Sequence, residues 1–378
     1  MKIVERAFVE SDRRALVDAG LHPVLARVYA GRRIRSAAEL DYGLDGLITP
    51  QALKGAADAA RLLADHGPDA MAVAGGTDLY PNMKRRQFTP RVLVALRGLE
   101  EAYGIEANGA LSLGAMATLA DVAEHPVVRG RWPAIARAAS LVSSPPLRNA
   151  GTIGGNLCVD TRCNYYNQTE FWRASVGYCM KKDGHVCLVA PGSDMCWALS
   201  SSDTAPVMIA LGAEVTLVGP KEERRIAVRD LYGPDGINYL AKRGDEILTR
   251  IHVPDRTGWA MTYRKLRRRG SIDFPILGVA VAVRLGPGRR VEEAHIVLGA
   301  VHTAPVVARD AEEFLRGRVL DAETIEMTAG IAYKPAKPLD NADLSYAWRK
   351  RMARVEVARA LRELAGLPTG DLPPVSPA

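Results

Sequence analysis

The sequence predicts an α+β fold in which helices and short strands come first, long strands follow, and helices close the chain. Three observations predict it. Apolar residues recur at helical spacing over residues 1 to about 66, in ALVDAGLHPVLARVYA and ALKGAADAARLLADH. Period-two alternation runs through WAMTYRKLRRRGSIDFPILGVAVAVRLG and VEEAHIVLGAVHTAPVVA, as long strands require. Helical spacing then dominates from about Ala311 to Leu367.

Taken in order, Pro23 and the turn-like DYGLDG punctuate the first helices. MAVAGG and RVLVAL read as strands on either side of a polar, basic stretch. EAYGIEANGALSLGAMA reads as short strands around an Asn-Gly turn, and Leu119 to Val142 as one helical run. PVMIALGAEVTLVG is a helix running into a strand, and Arg225 to Pro254 is mixed, with the loop GPDGIN. The tail LPTGDLPPVSPA is expected to be disordered, and no internal repeat is visible.

With 378 residues, 48% hydrophobic and 25% charged, the composition is that of a globular protein of two or three domains. No run approaches the ~20 apolar residues of a membrane span, and MKIVERAFVESDRR has no secretory apolar core. A cytoplasmic protein without a membrane partner is expected. The net charge of +7 is spread along the chain, with only short runs such as KRR and RKLRRR, so nucleic acid is not an expected partner.

Two glycine-rich turns carry candidate chemistry. In VAGGTDLYPNMK, Gly75 and Gly76 let backbone N–H groups approach a diphosphate, and Thr77 adds a hydroxyl. In RNAGTIGGN, Gly151, Gly154 and Gly155 expose backbone beside Asn149, Thr152 and Asn156. Neither fits the Rossmann GxGxxG pattern. A plain tight turn is the competing reading of each.

All five cysteines lie between Arg148 and Pro206, which argues for ligation over a disulfide framework in a reducing compartment. Four thiolates converging from a folded loop suit an iron-sulfur cubane. Zinc more usually shows paired CxxC knuckles, which are absent here. Cluster, zinc and unligated thiols all remain open on residue chemistry alone, and so does which cysteine is left over.

AGGTDL, LSLGAMATL, RNAGTIGGN, SSDTAP, YRKLRRR and KPLDNADLSYAWRKRMARVEVARAL, in that order, resemble the FAD-binding subunit of the molybdenum hydroxylases over about residues 55 to 366. The resemblance implies FAD in a cleft between two N-terminal subdomains of the vanillyl-alcohol-oxidase type. A C-terminal α+β domain of antiparallel sheet plus helices would follow. It divides the chain into residues 1–52, a FAD domain at 53–222 with an insertion at 158–198, a C-terminal domain at 223–368 and a tail at 369–378. It places the diphosphate loop on Ala72, Val73, Ala74, Gly75, Gly76, Thr77, Asp78 and Leu79. The second loop falls on Asn149, Gly151, Thr152, Ile153, Gly154, Gly155 and Asn156. Further cofactor contacts fall on Gly114, Thr118, Asp203 and Lys265, and Ala117 stands where many relatives carry Thr. Asp203 also reads as a helix N-cap, and the two roles are compatible.

The insertion resembles that of the 4-hydroxybenzoyl-CoA reductase β subunits, in DTRCNYYNQ, FWR, GYCMKKDGHVC and the next cysteine. That resemblance implies a 4Fe-4S cluster on Cys163, Cys179, Cys187 and Cys196, at intervals of 16, 8 and 9, and leaves Cys158 over. Tyr165, Tyr166, Phe171, Trp172 and Tyr178 interleave these cysteines, either walling a cluster from water or forming a small satellite core.

The same resemblance implies a large molybdenum-cofactor subunit and a small 2Fe-2S subunit as partners, in a dimer of heterotrimers. Electrons would come from ferredoxin through the 4Fe-4S cluster and FAD, for reductive removal of a phenolic hydroxyl. No catalytic residue is expected on this chain. GLHPVLARVYAGRRIRSAAELDYGLDGLITPQALKG instead resembles the N-terminal segment of single-strand-specific DHH-type DNA exonucleases, without their Asp-rich motifs, so nuclease activity is not implied.

Overall fold

The computed structural model describes residues 7–40, 55–340 and 344–370. The chain divides into two compact units, residues 1–52 and 53–378. In the first, helices Glu10–Asp18 and Pro23–Ala30 pack through Leu16, Ala26 and Ala30. Pro23 opens its helix, where the missing N–H has no intrahelical partner to lose. Residues 41–52 of the expected helical segment, and 371–378 of the expected tail, lie outside the described residues.

Among the described residues the second unit holds three sheets. β1 (Ala70–Val73) and β2 (Val92–Ala95) run parallel, and helix Ala56–His66 covers them with Ala59, Ala60 and Leu63. A five-stranded sheet follows, with β3 (Ile105–Asn108), β4 (Ala110–Gly114), β5 (Glu214–Val218), β6 (Glu223–Ala227) and β7 (Ile247–Val253) in the order β3-β4-β7-β5-β6. Gly109, at φ +75°, makes the turn between β3 and β4.

Two expectations are corrected here. A domain boundary at 222/223 would cut the β5–β6 hairpin, in which Val218 pairs with Glu223, and would strip β7 from between β4 and β5. The change of sheet comes after Val253. The helical run from Leu119 to Val142 is three helices, Leu119–Glu124, Pro126–Arg131 and Pro133–Ser140, because each proline lacks the N–H that would continue the preceding helix.

The third sheet is antiparallel, with β8 (Trp259–Leu266), β9 (Leu277–Leu285), β10 (Val291–Gly299) and β11 (Val306–Val307) in sequence order. β9 is buried on both faces, and strand alternation sorts its residues. Val279, Val281 and Val283 enter the core shared with helices Arg309–Leu315, Ala322–Ala332 and Tyr346–Ala365. Ala280 and Ala282 face the other way, into the core of helices Pro133–Ser140 and Thr204–Ala210. Arg349 locks the long helix in place by donating to the carbonyls of Leu339, Ile276 and Ala300 at 2.6, 2.8 and 3.1 Å.

Candidate functional site

The two glycine turns meet backbone to backbone. A Cβ on Gly75 would stand 2.6 Å from the Ala150 carbonyl carbon and 3.0 Å from Gly151 Cα, so only glycine permits the approach. Ala72 and Val73 end β1, which aims the first turn at the second, and Thr77 Oγ1 lies beside Gly151. Gly76 takes φ +70° over the ring of Tyr80. Leu79 begins the helix Leu79–Lys84.

The second turn is bolted to the segment after β4. Leu119 N donates to Gly151 O, Ile153 N to Ala117 O and Gly154 N to Ala115 O, each at 2.9 Å. Thr152 caps the helix Ile153–Leu157 by accepting from Gly155 N at 3.0 Å, and Gly155 itself is exposed, with Ala74 opposite it. Asn149 ends the helix Pro145–Arg148. Facing turns lined by glycine, with an exposed backbone edge between them, fit an extended diphosphate.

Several of the residues expected at the cofactor have structural roles. Gly114 is glycine because a Cβ would collide with the backbone of Ala102 and Tyr103. Ile153 is fully buried in the core. Thr118 forms a capping box with Asp121, and Asn156 Oδ1 accepts from Ser202 Oγ, Thr204 N and Thr204 Oγ1 at 2.9, 3.2 and 2.7 Å.

Asp203 and Lys265 do come together, Oδ2 to Nζ at 2.8 Å, but their side chains are 2% and 0% exposed. Each side chain is turned to the other, and Lys265 Nζ also donates to Leu141 O at 2.9 Å. Burial pushes Asp203 up and Lys265 down, against the mutual attraction that favours the charged forms. Asp203 takes the N-cap position of the helix Thr204–Ala210 as expected, but its side chain makes no capping bond; Ser202 Oγ accepts from Ala205 N at 3.0 Å instead.

The insertion leaves and re-enters through one antiparallel bridge, Arg162 to Leu199, with both hydrogen bonds 2.8 Å long. Cys179, Cys187 and Cys196 are buried and Cys163 is half-buried. The chain doubles back around Cys179, whose carbonyl accepts from Lys182 N and Gly184 N at 2.9 and 3.1 Å. Ala198 N–H points at Cys196 Sγ, 3.4 Å away.

Burial pushes the Cys163 thiol up, and Cys179 and Cys187 add to the rise. Cys196 is pushed up to about 11, again by burial first, with Cys187 and Cys163 adding. Cys163 thus feels the charge of Cys179 and Cys187, and Cys196 that of Cys187 and Cys163. Cys158 stands apart: burial alone raises it, Lys242 opposes, and its charge is felt by Tyr232 and Tyr239. Among the described residues no three His, Cys, Asp or Glu side chains are placed to hold a metal ion. Of the interleaved aromatics Tyr166 is buried, whereas Phe171 is 82% exposed and walls nothing.

Residues 46–256 match the FAD binding domain in molybdopterin dehydrogenase, and residues 261–364 match the CO dehydrogenase flavoprotein C-terminal domain. The chain belongs to the FAD-binding medium subunits of the molybdenum hydroxylase family. The medium subunit is 31% identical to the carbon monoxide dehydrogenase medium chain of Afipia carboxidovorans, over 82% of this chain and 93% of that one. It is 32% identical to an aldehyde oxidoreductase FAD-binding subunit of Escherichia coli, over 67% and 82%. Carbon monoxide dehydrogenase from Hydrogenophaga pseudoflava superposes with a TM-score of 0.69 at 26% identity, covering 83% of this chain and 96% of that one. The medium subunit therefore carries residues beyond the shared body. The two matched domains change over between residues 256 and 261, where the sheets change. Residues 7–40 precede both matches, and no finding supports the exonuclease resemblance.

Sequence reading missed the polar residues that anchor the medium subunit's insertion. Lys181 is buried against Asp160 at 2.6 Å and donates to Gly236 O at 2.9 Å. Arg173, 1% exposed, donates to the carbonyls of Arg85 and Arg86, both at 3.1 Å. Their only signal is position among the cysteines. Among the described residues no helix is long and apolar enough to cross a membrane.

Proposed function

We propose that this medium subunit carries FAD and a 4Fe-4S cluster as the electron-transfer chain of a molybdenum enzyme of the 4-hydroxybenzoyl-CoA reductase type. The carrying observation is the cysteine set. Cys163, Cys179, Cys187 and Cys196, spaced 16, 8 and 9 apart, are buried or half-buried in one loop and linked through the charges that Cys163 and Cys196 feel from the others, while Cys158 is outside the group. A cubane offers each thiolate a separate iron, so its ligands stand further apart than those of a single ion. Bound here, FAD and the cluster would supply electron storage and relay.

The chain's own residues would bind and position. Gly75, Gly76 and Thr77 with Gly151, Thr152 and Gly155 would hold the FAD diphosphate through backbone N–H groups and hydroxyls. Ala198 N–H would donate to the Cys196 thiolate, and the enclosing loop would exclude water. The partners are a large molybdenum-cofactor subunit and a small 2Fe-2S subunit, in a dimer of heterotrimers, with ferredoxin as donor. The setting is the cytoplasm, where thiols stay reduced.

A second reading is favoured by relatives such as the carbon monoxide dehydrogenase and aldehyde oxidoreductase chains: a FAD subunit for an oxidative hydroxylase, with a purely structural insertion. Iron, sulfide and flavin counts on the anaerobically purified complex, beside a Cys179→Ser complex, separate the two. The first reading expects a loss of about four irons per trimer in the variant; equal iron in both establishes the second.

A further inference from the structure

We infer that Arg162 is a positioning residue that couples the two cofactor sites, completing the FAD loop only when the cysteine loop is formed. The inference rests on the cluster reading above. Asp78 lies in the first glycine turn, where its carboxylate would repel a bound diphosphate. Its Oδ1 is taken by Arg162, one residue before Cys163, and its Oδ2 accepts from Asn82 at 3.0 Å. Arg162 is 14% exposed and lies over the Phe274 ring, 4.3 Å from its centroid, which holds the guanidinium at this place.

The contact is not isolated. The chain that follows the first turn is clasped at two more points, by Arg173 on the Arg85 and Arg86 carbonyls and by Gln87 donating to Tyr166 O at 2.7 Å. All three clasps join segment 78–87 to segment 162–173. The seam is polar, and Asn82 Oδ1, Arg162 Nε, Asn167 Nδ2 and Arg173 Nε are enclosed there without a protein partner. A polar seam of this kind holds only while both sides keep their shape, unlike an apolar core. Ordering the cysteine loop around a cluster fixes Arg162, which neutralises Asp78 and favours the diphosphate. By linkage, bound FAD favours the ordered cysteine loop to the same degree.

The test measures FAD affinity and iron content in the purified complex for the wild type, Arg162→Met, Asp78→Asn/Arg162→Met, Cys179→Ser and Cys179→Ser/Arg162→Met. Arg162→Met should weaken FAD about tenfold, within the usual range of coupling between sites. Adding Asp78→Asn should restore most of that loss, a rescue that simple disruption of packing does not give. Cys179→Ser should weaken FAD by a similar factor, with no further loss when Arg162→Met is added. Loss of iron in Cys179→Ser with unchanged FAD affinity overturns the inference and leaves the cluster reading standing. Multiplying rather than overlapping effects overturn it equally. Equal iron in wild type and Cys179→Ser removes the cluster reading and the inference with it. Should Arg162→Met not fold, Arg162→Lys, which keeps the charge, must lose less than tenfold for the coupling to hold.

Discussion

Lys265 reaches from β8 to Asp203, which precedes the helix Thr204–Ala210, and the two side chains meet at 2.8 Å with no water-accessible surface to speak of. Tyr263, two residues earlier and so on the same face of the strand, donates to the other Asp203 oxygen at 2.8 Å. The antiparallel sheet and the FAD-binding region are therefore joined by a buried charge pair. Lys265→Met leaves the carboxylate enclosed with one donor, and should cost about 3–5 kcal/mol in denaturant unfolding. Adding Asp203→Asn should return most of that. A single variant within 1 kcal/mol of wild type, on the order of a surface change, would show the pair to be neutral.

Gly75→Ala should empty the FAD site, because the new methyl group enters the space of the Ala150 carbonyl and drives the two glycine turns apart. The expected fall in bound flavin per chain is at least about tenfold, equivalent to about 1.4 kcal/mol. Gly192→Ala is the control, since nothing lies within 4 Å of its Cβ and its φ is not left-handed. A Gly75→Ala protein with full flavin absorbance sinks the diphosphate assignment.

Acid sensitivity should trace in part to Glu246, whose side chain is 1% exposed. It accepts from Arg224 Nε and Nη2 at 2.6 and 2.9 Å and from Arg243 N at 2.6 Å. These donors, Arg224 foremost, hold its carboxyl below the ordinary 4.5 against the opposing effect of burial. A depressed carboxyl contributes stability in full above its unfolded value, and that contribution drains away as pH falls through the folded one. Glu246→Gln should therefore be less stable than wild type at neutral pH, by about 2 kcal/mol. Its Tm should fall less steeply below pH 4.5. Parallel acid limbs for the two proteins would exclude the carboxyl as a contributor.

Cys158 and Cys196 should part company on replacement by serine. Cys158 sits beneath Tyr232 and Tyr239, whose hydroxyls donate to the Leu157 and Cys158 carbonyls at 2.9 and 3.4 Å, and its thiol has no part in the group of four. Cys158→Ser should keep its iron, and Cys196→Ser should lose it. Iron analysis giving the reverse would reassign the ligands.

Much of the chain was legible where the determinant is local. The glycine turns, the strands that precede them and the long alternation of β8 to β10 depend on residues near in sequence. The errors share a different cause. β6 and β7 were set in the wrong domain because strand partnership is decided by residues far along the chain, Val215 pairing with both Ile226 and Ile251. Ser-Asp-Thr carries capping propensity at every position, and Asp203 does take the N-cap place. Only the fold puts Lys265 and Tyr263 over the carboxylate and leaves the capping hydrogen bond to Ser202. At Gly114 what excludes a side chain is backbone from Ala102 and Tyr103. Glycine in a sequence says that something comes close without saying what.

The bridge between Arg162 and Leu199 brings the two ends of the insertion side by side, joined by two hydrogen bonds. A segment entered and left at one doorway is a cassette. Taking it out would leave two chain ends that already lie side by side. A lineage could thus gain or lose the loop on an existing flavoprotein at one stroke and refine the clasps to its neighbours afterwards.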